Sequence, residues 1–458
     1  MLDINREHPE YVVQRPIWKQ YKDMYVGGEQ FKARANQYLI PRQKEPINVY
    51  SERLVRVFYE NYIGSIIDWY SATLFRREPI LSFEGGNERG KRFFSDFTDD
   101  CDLKGTNLTD FFREQIISAL VCGTSHILVD FPRGKPAVNR AEEDESGNSR
   151  AYLLGYSREE LINWSHDPQG RYEWVVLRTE GLRKQSIEDT EWSKETRWAY
   201  YDKTTYKIYE QTESAGKQSE IEIIASGTHG LAKQFRVPLF DMRVPEGLWL
   251  MNRAGLLQLE HFNKSNALGW AITMGLFAMP VVYSERDWNQ IVGESYYVQL
   301  GPNDRFGWTE PEGKVFQIAS DNLTRLQEEI YRVCYLTQMG GQLSGTKMHT
   351  GVSKQRDFAV TQEVLRAYGD SVKDALKRVL RAVEAAREDG LAVGVSGLDE
   401  FDIGDFGTEL DDAVRLLNLG MNSPTLKTQV FKKLALKYLC DVRQEVKDQI
   451  ASEIELGN

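Results

Sequence analysis

The residues able to do chemistry are few and scattered. His8, His126, His166, His229, His261 and His349 include no HExxH spacing and no Ser/Asp partnering that would make a triad. Cys101, Cys122, Cys334 and Cys440 lie far apart, with no CxxC pair and no histidine spacing that would build a zinc site, so they read as buried thiols in a reducing compartment. Neither GxxxxGK[ST] nor GxGxxG occurs, and Gly340-Gly341 with Lys347 fails as a phosphate loop because no strand precedes it. The paired acids Glu328-Glu329 and Asp411-Asp412 fall on helical faces, where water solvates them. His126, inside an apolar run, reads as a satisfied core residue. No catalytic residue, metal or cofactor is expected, and the chain does not read as an enzyme.

The remaining chemistry is charge sorting. Between Glu329 and Asp357 there is no carboxylate, although composition would put about four there, while Arg332, Lys347, Lys354 and Arg356 are present. The same span carries Gly340, Gly341, Gly345 and Gly351, which interrupt a helix because each surrenders backbone entropy. Two readings fit: a solvated turn that happens to be basic, or a loop that slides past a polyanion. The whole chain carries a formal net charge of −11, which argues against a surface that grips nucleic acid throughout, so any DNA contact is expected to be local.

The elements that would position that loop are legible in the periodicity. The 458 residues exceed one comfortable core, and 41% hydrophobic with 27% charged residues describes an ordered globular chain of two or more lobes, or one elongated subunit. The amino terminus has no basic start followed by an apolar core, so a signal peptide is not expected, and no run of about eighteen apolar residues occurs. The run from Leu248 to Val282 comes nearest, but Asn252, Arg253, Glu260, Lys264 and Asn266 break it. A soluble, cytosol-made protein follows. Residues 1–48, polar and punctuated by proline, read as an arm lying on the body or on a neighbour.

From Ser51 a helix is expected through Val55, Phe58, Tyr62, Ile66, Trp69 and Leu74 to Phe75. A second runs from Asn107 through Phe112, Ile116 and Leu120, and passes at Cys122-Gly123-Thr124 into a buried strand to Asp130. Arg133 to Arg150 is a charged loop; Tyr152–Tyr156, Tyr172–Arg178, Arg197–Tyr201 and Tyr206–Glu210 alternate like antiparallel strands. Pro245 to Thr273 returns to helix, and Gly275 to Ile318 reads as short glycine-broken strands. Asn322, Leu323, Leu326, Ile330, Val333, Leu336 and Thr337 predict one buried helical face. Ser353 is the expected cap of the longest helix, whose Leu365, Tyr368, Val372, Leu376, Val379 and Val383 lead to a stop at Asp389-Gly390. After a break, Glu409 to Leu419 and Pro424 to about Glu455 predict two more helices, with Ser423 as cap and Pro424 in the first helical position.

This order resembles a portal protein of a tailed bacteriophage over nearly the full length. The residues that carry the resemblance are Phe75-Arg76-Arg77-Glu78-Pro79, the Leu161-Ile162-Asn163-Trp164 spacing, and the helix, interlude, helix, loop, long-helix series. The resemblance implies an α+β, portal-type elongated subunit: an arm at 1–48, an α/β wing at 49–245, stem helices at 246–275 and 319–339, and a β-containing clip at 276–318. A tunnel loop at 340–353, a long helix at 354–407 returning to the wing, and a helical crown at 408–458 complete it.

It further implies a ring of about twelve subunits at one capsid vertex, a conduit for double-stranded DNA during packaging and ejection. Large terminase, major capsid and scaffolding proteins and a head–tail adaptor are the implied partners, with no membrane; the place is the virion, and the host cytoplasm during assembly. Lys347, His349, Lys354 and Arg356 would line the DNA channel, touching phosphates weakly and without base recognition. Trp288, Tyr296, Tyr297, Phe306 and Trp308 would sit at clip contacts between subunits. The competing reading is a cytosolic α/β enzyme or host regulatory protein, which would need convergent polar groups that no spacing here supplies.

Overall fold

The computed structural model describes residues 3–132, 150–184, 192–214, 217–275, 279–284, 302–303, 305–309, 313–336, 351–399, 401, 413–417, 423–438 and a few positions beyond. Helix and antiparallel sheet both contribute heavily, an α+β arrangement.

The residues expected as an amino-terminal arm contain two helices. Helix α1 spans Pro9–Val26 with Pro16 inside it, and α2 spans Gly28–Ala33. Buried Tyr11, Trp18, Tyr21 and Met24 fall on one helical face, so apolar burial outweighs the backbone hydrogen bond that Pro16 cannot make. The helix expected from Ser51 to Phe75 is two: α3 at Ile47–Val55 and α4 at Tyr62–Leu74. Asn61 makes the second start, because its side-chain oxygen accepts from Gly64 N at 2.9 Å while its amide donates to Tyr25 O at 2.8 Å.

Strand β1 (Ile80–Gly85) and helix α5 (Glu88–Asp99) were not expected, although α5 is strongly amphipathic, burying Phe94 and Phe97, and is capped by Asn87, which accepts from Gly90 N at 2.6 Å. Helix α6 (Leu108–Cys122) begins where expected, with Asn107 accepting from Asp110 N at 2.7 Å. It ends at Gly123, whose φ of +83° and contact with the Trp249 ring, 3.2 Å from where a Cβ would stand, both demand glycine. Strand β2 (Thr124–Asp130) follows and is buried at every position.

The remaining strands of this region are β3 (Tyr152–Ser157), β4 (Leu161–His166), β5 (Tyr172–Arg183), β6 (Ser193–Asp202), β7 (Thr205–Ser214), β8 (Lys217–Gln218), β9 (Glu222–Thr228) and β10 (Leu239–Arg243). A three-stranded sheet runs β10-β2-β3, so β2 has a partner on each side, which fits its unbroken burial. A second sheet runs β4-β5-β6-β7-β8, with β9 also on β7, and every pairing is antiparallel, as meander spacing predicts. The expected turn between β6 and β7 is fixed by Asp202, which accepts from Thr204 N at 2.8 Å and Thr205 N at 2.6 Å.

Helix α7 spans Leu250–Gly275, then β11 (Met279–Tyr283) pairs antiparallel with β12 (Arg305–Thr309). Helix α8 starts at Gly313, so Lys314 to Ile318 are helical and not strand as expected; the apolar Val315, Phe316 and Ile318 had imitated alternation. Helix α9 runs Gly351–Arg387, which places Ser353 inside it rather than at its cap. Where only a break was expected, β13 (Leu391–Ser396) pairs antiparallel with β1, in a register running from Ile80↔Ser396, 316 residues apart, to Gly85↔Leu391, a separation that periodicity cannot report. Helix α10 (Pro424–Tyr438) begins as predicted, with Leu426 N donating to Ser423 Oγ at 3.3 Å. The loop expected at Arg133 to Arg150 lies outside the described residues except for Arg150, and so do 408–412, 418–422 and 439–445 of the expected crown.

The chain divides into two compact units: Met1–Lys22, Ile67–Asn252 and Gly351–Asn458 form one, Asp23–Ile66 and Arg253–Thr350 the other. In the first, α9 packs on β2, β10 and β13, burying the predicted row Leu365, Tyr368, Val372, Leu376, Val379 and Val383. Each such side chain contributes about 2 kcal/mol by leaving water. Tyr368 donates to Leu248 O at 2.6 Å and meets Tyr70 edge to face at 5.5 Å. Beside it, Gly369 lets the Leu398 carbonyl approach so closely that any Cβ would collide with it.

Candidate functional site

The second unit contains the helix–hairpin–helix series that sequence singled out. Within it, residues 253–275 of α7 hold the segments on either side of α3, residues 38–40 and 58–63, by side-chain amides rather than by a hydrophobic row. Gln258 accepts from Ile63 N at 3.3 Å and donates to Glu60 O at 2.7 Å. Asn263 accepts from Ile40 N at 2.8 Å and donates to Tyr38 O at 3.1 Å. Asn266 accepts from Phe58 N at 3.1 Å and donates to Phe58 O at 2.8 Å. An amide offers one acceptor and two donors, so it replaces a missing β-ladder partner at each point, and backbone that neither helix nor sheet satisfies can be buried. In sequence, Asn266 had figured only as an interruption of an apolar run.

Aromatic packing completes the scaffold. Phe31 stacks on Tyr59 at 4.0 Å and meets Phe262 edge to face at 5.0 Å, while Tyr59 donates to Met24 O at 3.0 Å and burial pushes its phenol well above the usual range. A buried ion pair, Arg53 with Glu45 at 2.7 Å, closes the stretch, and the hydrogen bonds and charge at Glu45 hold its carboxyl below the ordinary value despite burial. On α8, Leu326 and Ile330 are buried as predicted, as are Cys334 and Leu336 just beyond its end. Burial pushes the Cys334 thiol up to about 12, so it is no nucleophile. Arg253 lies over the Tyr335 ring and donates to its hydroxyl.

The hairpin sits between the two helices in sequence, with Pro280 opposite Trp308 and Val282 opposite Phe306 in register. For Phe306 and Trp308 that backbone placement on β12 is what the structure supplies; Trp288, Tyr296 and Tyr297 lie outside the described residues. Lys347 and His349 also lie outside them, and Lys354 and Arg356 fall in the first turns of α9 with their side chains undescribed. The surface that is described is apolar at unexpected places: Leu256 on α7 is 75% exposed, Tyr283 at the end of β11 67%, and Val315 and Ile318 on α8 63% and 60%.

Among the described residues no group of histidines, cysteines and carboxylates could hold a metal ion, and no helix is long and apolar enough to cross a membrane. His261 pairs with Glu60 at 3.4 Å and meets Tyr62 edge to face, and burial lowers its pKa. His126 is a satisfied core residue, as its setting predicted: its Nδ1 lies 2.8 Å from Asp241 Oδ1 and its Nε2 3.3 Å from Arg158.

No protein-family model matches the chain, and no curated protein matches it. Among solved structures it is similar to a chain from the neck of an empty GTA particle computed with C6 symmetry, at 11% identity and a TM-score of 0.45, covering 81% of this chain and 90% of that one. It is similar also to a chain from the virion of a native gene transfer agent particle, at 13% identity and 0.41, covering 86% and 95%. A chain from the neck of a native GTA particle computed with C12 symmetry gives 12% and 0.38, covering 79% and 87%. Likenesses at that level carry neither family nor function across to this chain.

Proposed function

We propose that the chain is a ring-forming portal subunit of a tailed-phage-like virion, a passive conduit for double-stranded DNA and a platform for terminase, capsid and scaffolding proteins, and a head–tail adaptor. One observation carries the reading: a two-stranded hairpin stands between a 26-residue and a 21-residue helix, with Leu256, Tyr283, Val315 and Ile318 left in water. A hairpin of five-residue strands is marginal by itself, and single exposed apolar residues are ordinary, but exposed ones gathered on the elements flanking such a hairpin suit contact with further copies. In a closed ring each copy would supply a further partner edge to the two strands of the hairpin.

On this reading the glycine-rich 340–353 segment faces the channel, and Lys347, His349, Lys354 and Arg356 form circles of positive charge that meet phosphates without reading bases. Trp288, Tyr296, Tyr297, Phe306 and Trp308 belong to the contacts between neighbouring clips. An acidic subunit with one basic loop suits passage, because every firm phosphate contact would add affinity and slow translocation.

Light scattering behind gel filtration tests the proposal: purified protein should elute as a closed assembly many times the 52.7 kDa chain mass, with a ring in negative stain. A stable monomer at micromolar concentration would sink it. Given a ring, Lys347→Glu with Lys354→Glu should leave the ring intact and lower packaged DNA per capsid; wild-type filling removes the loop from the mechanism.

A further inference from the structure

A cluster in the first unit stands apart from everything the portal reading uses. Arg158 and Glu159, in the turn between β3 and β4, hold residues 10–22 of α1 at four points. Glu10 Oε1 lies 3.5 Å from Arg158, Tyr11 donates to Glu159 O at 2.9 Å, the Arg158 guanidinium lies 5.2 Å from the Trp18 ring, and Lys22 pairs with Glu159 at 2.6 Å. Trp164 takes the guanidinium too, at 5.0 Å, so Arg158 is flanked by two indoles. Its other contact is His126 Nε2, at 3.3 Å, on a strand with no exposure at that residue.

The hydrogen-bond roles here are forced. A guanidinium can only donate, so His126 Nε2 must be the bare acceptor; the Asp241 carboxylate can only accept, so Nδ1 carries the proton. His126 is therefore neutral, in the Nδ1–H form. Asp241 is itself secured by Tyr172, which donates at 3.0 and 3.1 Å, and by Arg243 at 3.2 Å. Arg378 of α9 donates to the Asp241 backbone carbonyl at 2.7 Å, and Tyr156 lies across β3 from His126 in register.

We propose that this junction is an acid-triggered latch: a proton added to His126 Nε2 expels Arg158 from between Trp18 and Trp164 and releases residues 10–22 from the β3–β4 turn. Protonation turns the buried acceptor facing Arg158 into a donor and sets two cations 3.3 Å apart, leaving the guanidinium the exposed Glu10 carboxylate at 3.5 Å on its other side. The Asp241 side does not yield first, because its carboxyl is held down to about 2 and its bond to Nδ1–H survives the change.

The direction of pH dependence follows. Burial lowers the His126 pKa from 6.5, with Asp241 opposing and Arg158 and Arg243 adding to the fall. The unfolded chain thus binds the proton more readily, so the latch is fully closed above about 6.5 and weakens as pH falls toward the depressed folded value.

Hydrogen exchange on the full chain tests this, with selectively labelled histidine to report the ring. At about pH 7.5 the His126 nitrogens should show the neutral Nδ1–H form, and as pH falls below the ordinary value of 6.5 the ring should charge as residues 10–22 lose roughly tenfold protection beyond the intrinsic rate change. Residues 371–383 of α9 should keep theirs. His126→Gln, which retains an acceptor that cannot take up the proton, should abolish the acid step; Arg158→Met should lower protection of residues 10–22 already at about pH 7.5 and leave no acid step. The latch is refuted by a ring that charges with no loss of protection, a ring that stays neutral down to global unfolding, an unchanged acid step in His126→Gln, or full neutral-pH protection in Arg158→Met. Should His126→Gln fail to fold, the ring titration and Arg158→Met still decide.

Discussion

Two long helices do the same structural job by different chemistry. Helix α9 is positioned by an aliphatic and aromatic row, Leu365 through Val383, lying on strands whose backbone is already satisfied by ladder hydrogen bonds. Helix α7 instead meets segments with no ladder, and Gln258, Asn263 and Asn266 supply the donors and acceptors that the backbone of 38–40 and 58–63 lacks. The first arrangement tolerates loss of fit in proportion to the volume removed. The second is all or nothing where the amide is buried, as at Gln258 and Asn266, since an orphaned backbone group removed from water costs its full desolvation, whereas the Ile40 N–H held by Asn263 is open to water.

The comparison breaks most readily at Leu376. Replacing it with alanine should cost about 3–4 kcal/mol, read as a lowered urea midpoint for the transition that carries α9, because a wholly buried leucine leaves a cavity among packed neighbours. A loss under about 1 kcal/mol would show that the row is loosely packed. Asn266→Leu sharpens the contrast: it keeps volume and adds apolar surface, yet should cost about 2–3 kcal/mol because Phe58 N–H and C=O lose their partner. A neutral or stabilising result would mean that the amide stitch contributes nothing.

A smaller effect is expected at Asn61→Ala, about 1 kcal/mol, since it removes the α4 cap but leaves the buried Ile63, Ile66 and Ile67 in place. Circular dichroism melts read it, and Asn61→Asp should recover most of the loss if capping is the cause. The smallest effect on folding belongs to Val315→Ser with Ile318→Ser, within about 0.5 kcal/mol because both side chains are exposed. The mass of the assembly should fall all the same. Unchanged assembly would remove the α8 surface from any contact between copies.

Residues 337–350, and with them Lys347 and His349, rest on sequence and on the proposed function, as do Trp288, Tyr296 and Tyr297. Elsewhere the legible parts and the hidden ones divide on a physical line. Periodicity reports a regular element with one buried face, so α6, β2, the β5–β7 meander, the buried faces of α8 and α9, and the Ser423 start of α10 were open to reading. Local punctuation failed where a capping residue looked like any other polar one: Asn61 cut an expected helix in two, and Ser353, a fine cap by type, lies inside α9.

The sequence by itself determined the period of the long elements and the run of glycines without carboxylates between Glu329 and Asp357, because those depend on neighbours within a few turns. Tertiary structure alone decided that Leu391–Ser396 is a strand, that His126 faces both Asp241 and Arg158, and that three amides on α7 satisfy a distant backbone. Those facts turn on which groups meet across long stretches of chain. A hydrogen bond has no period, so only the folded arrangement can say who donates to whom.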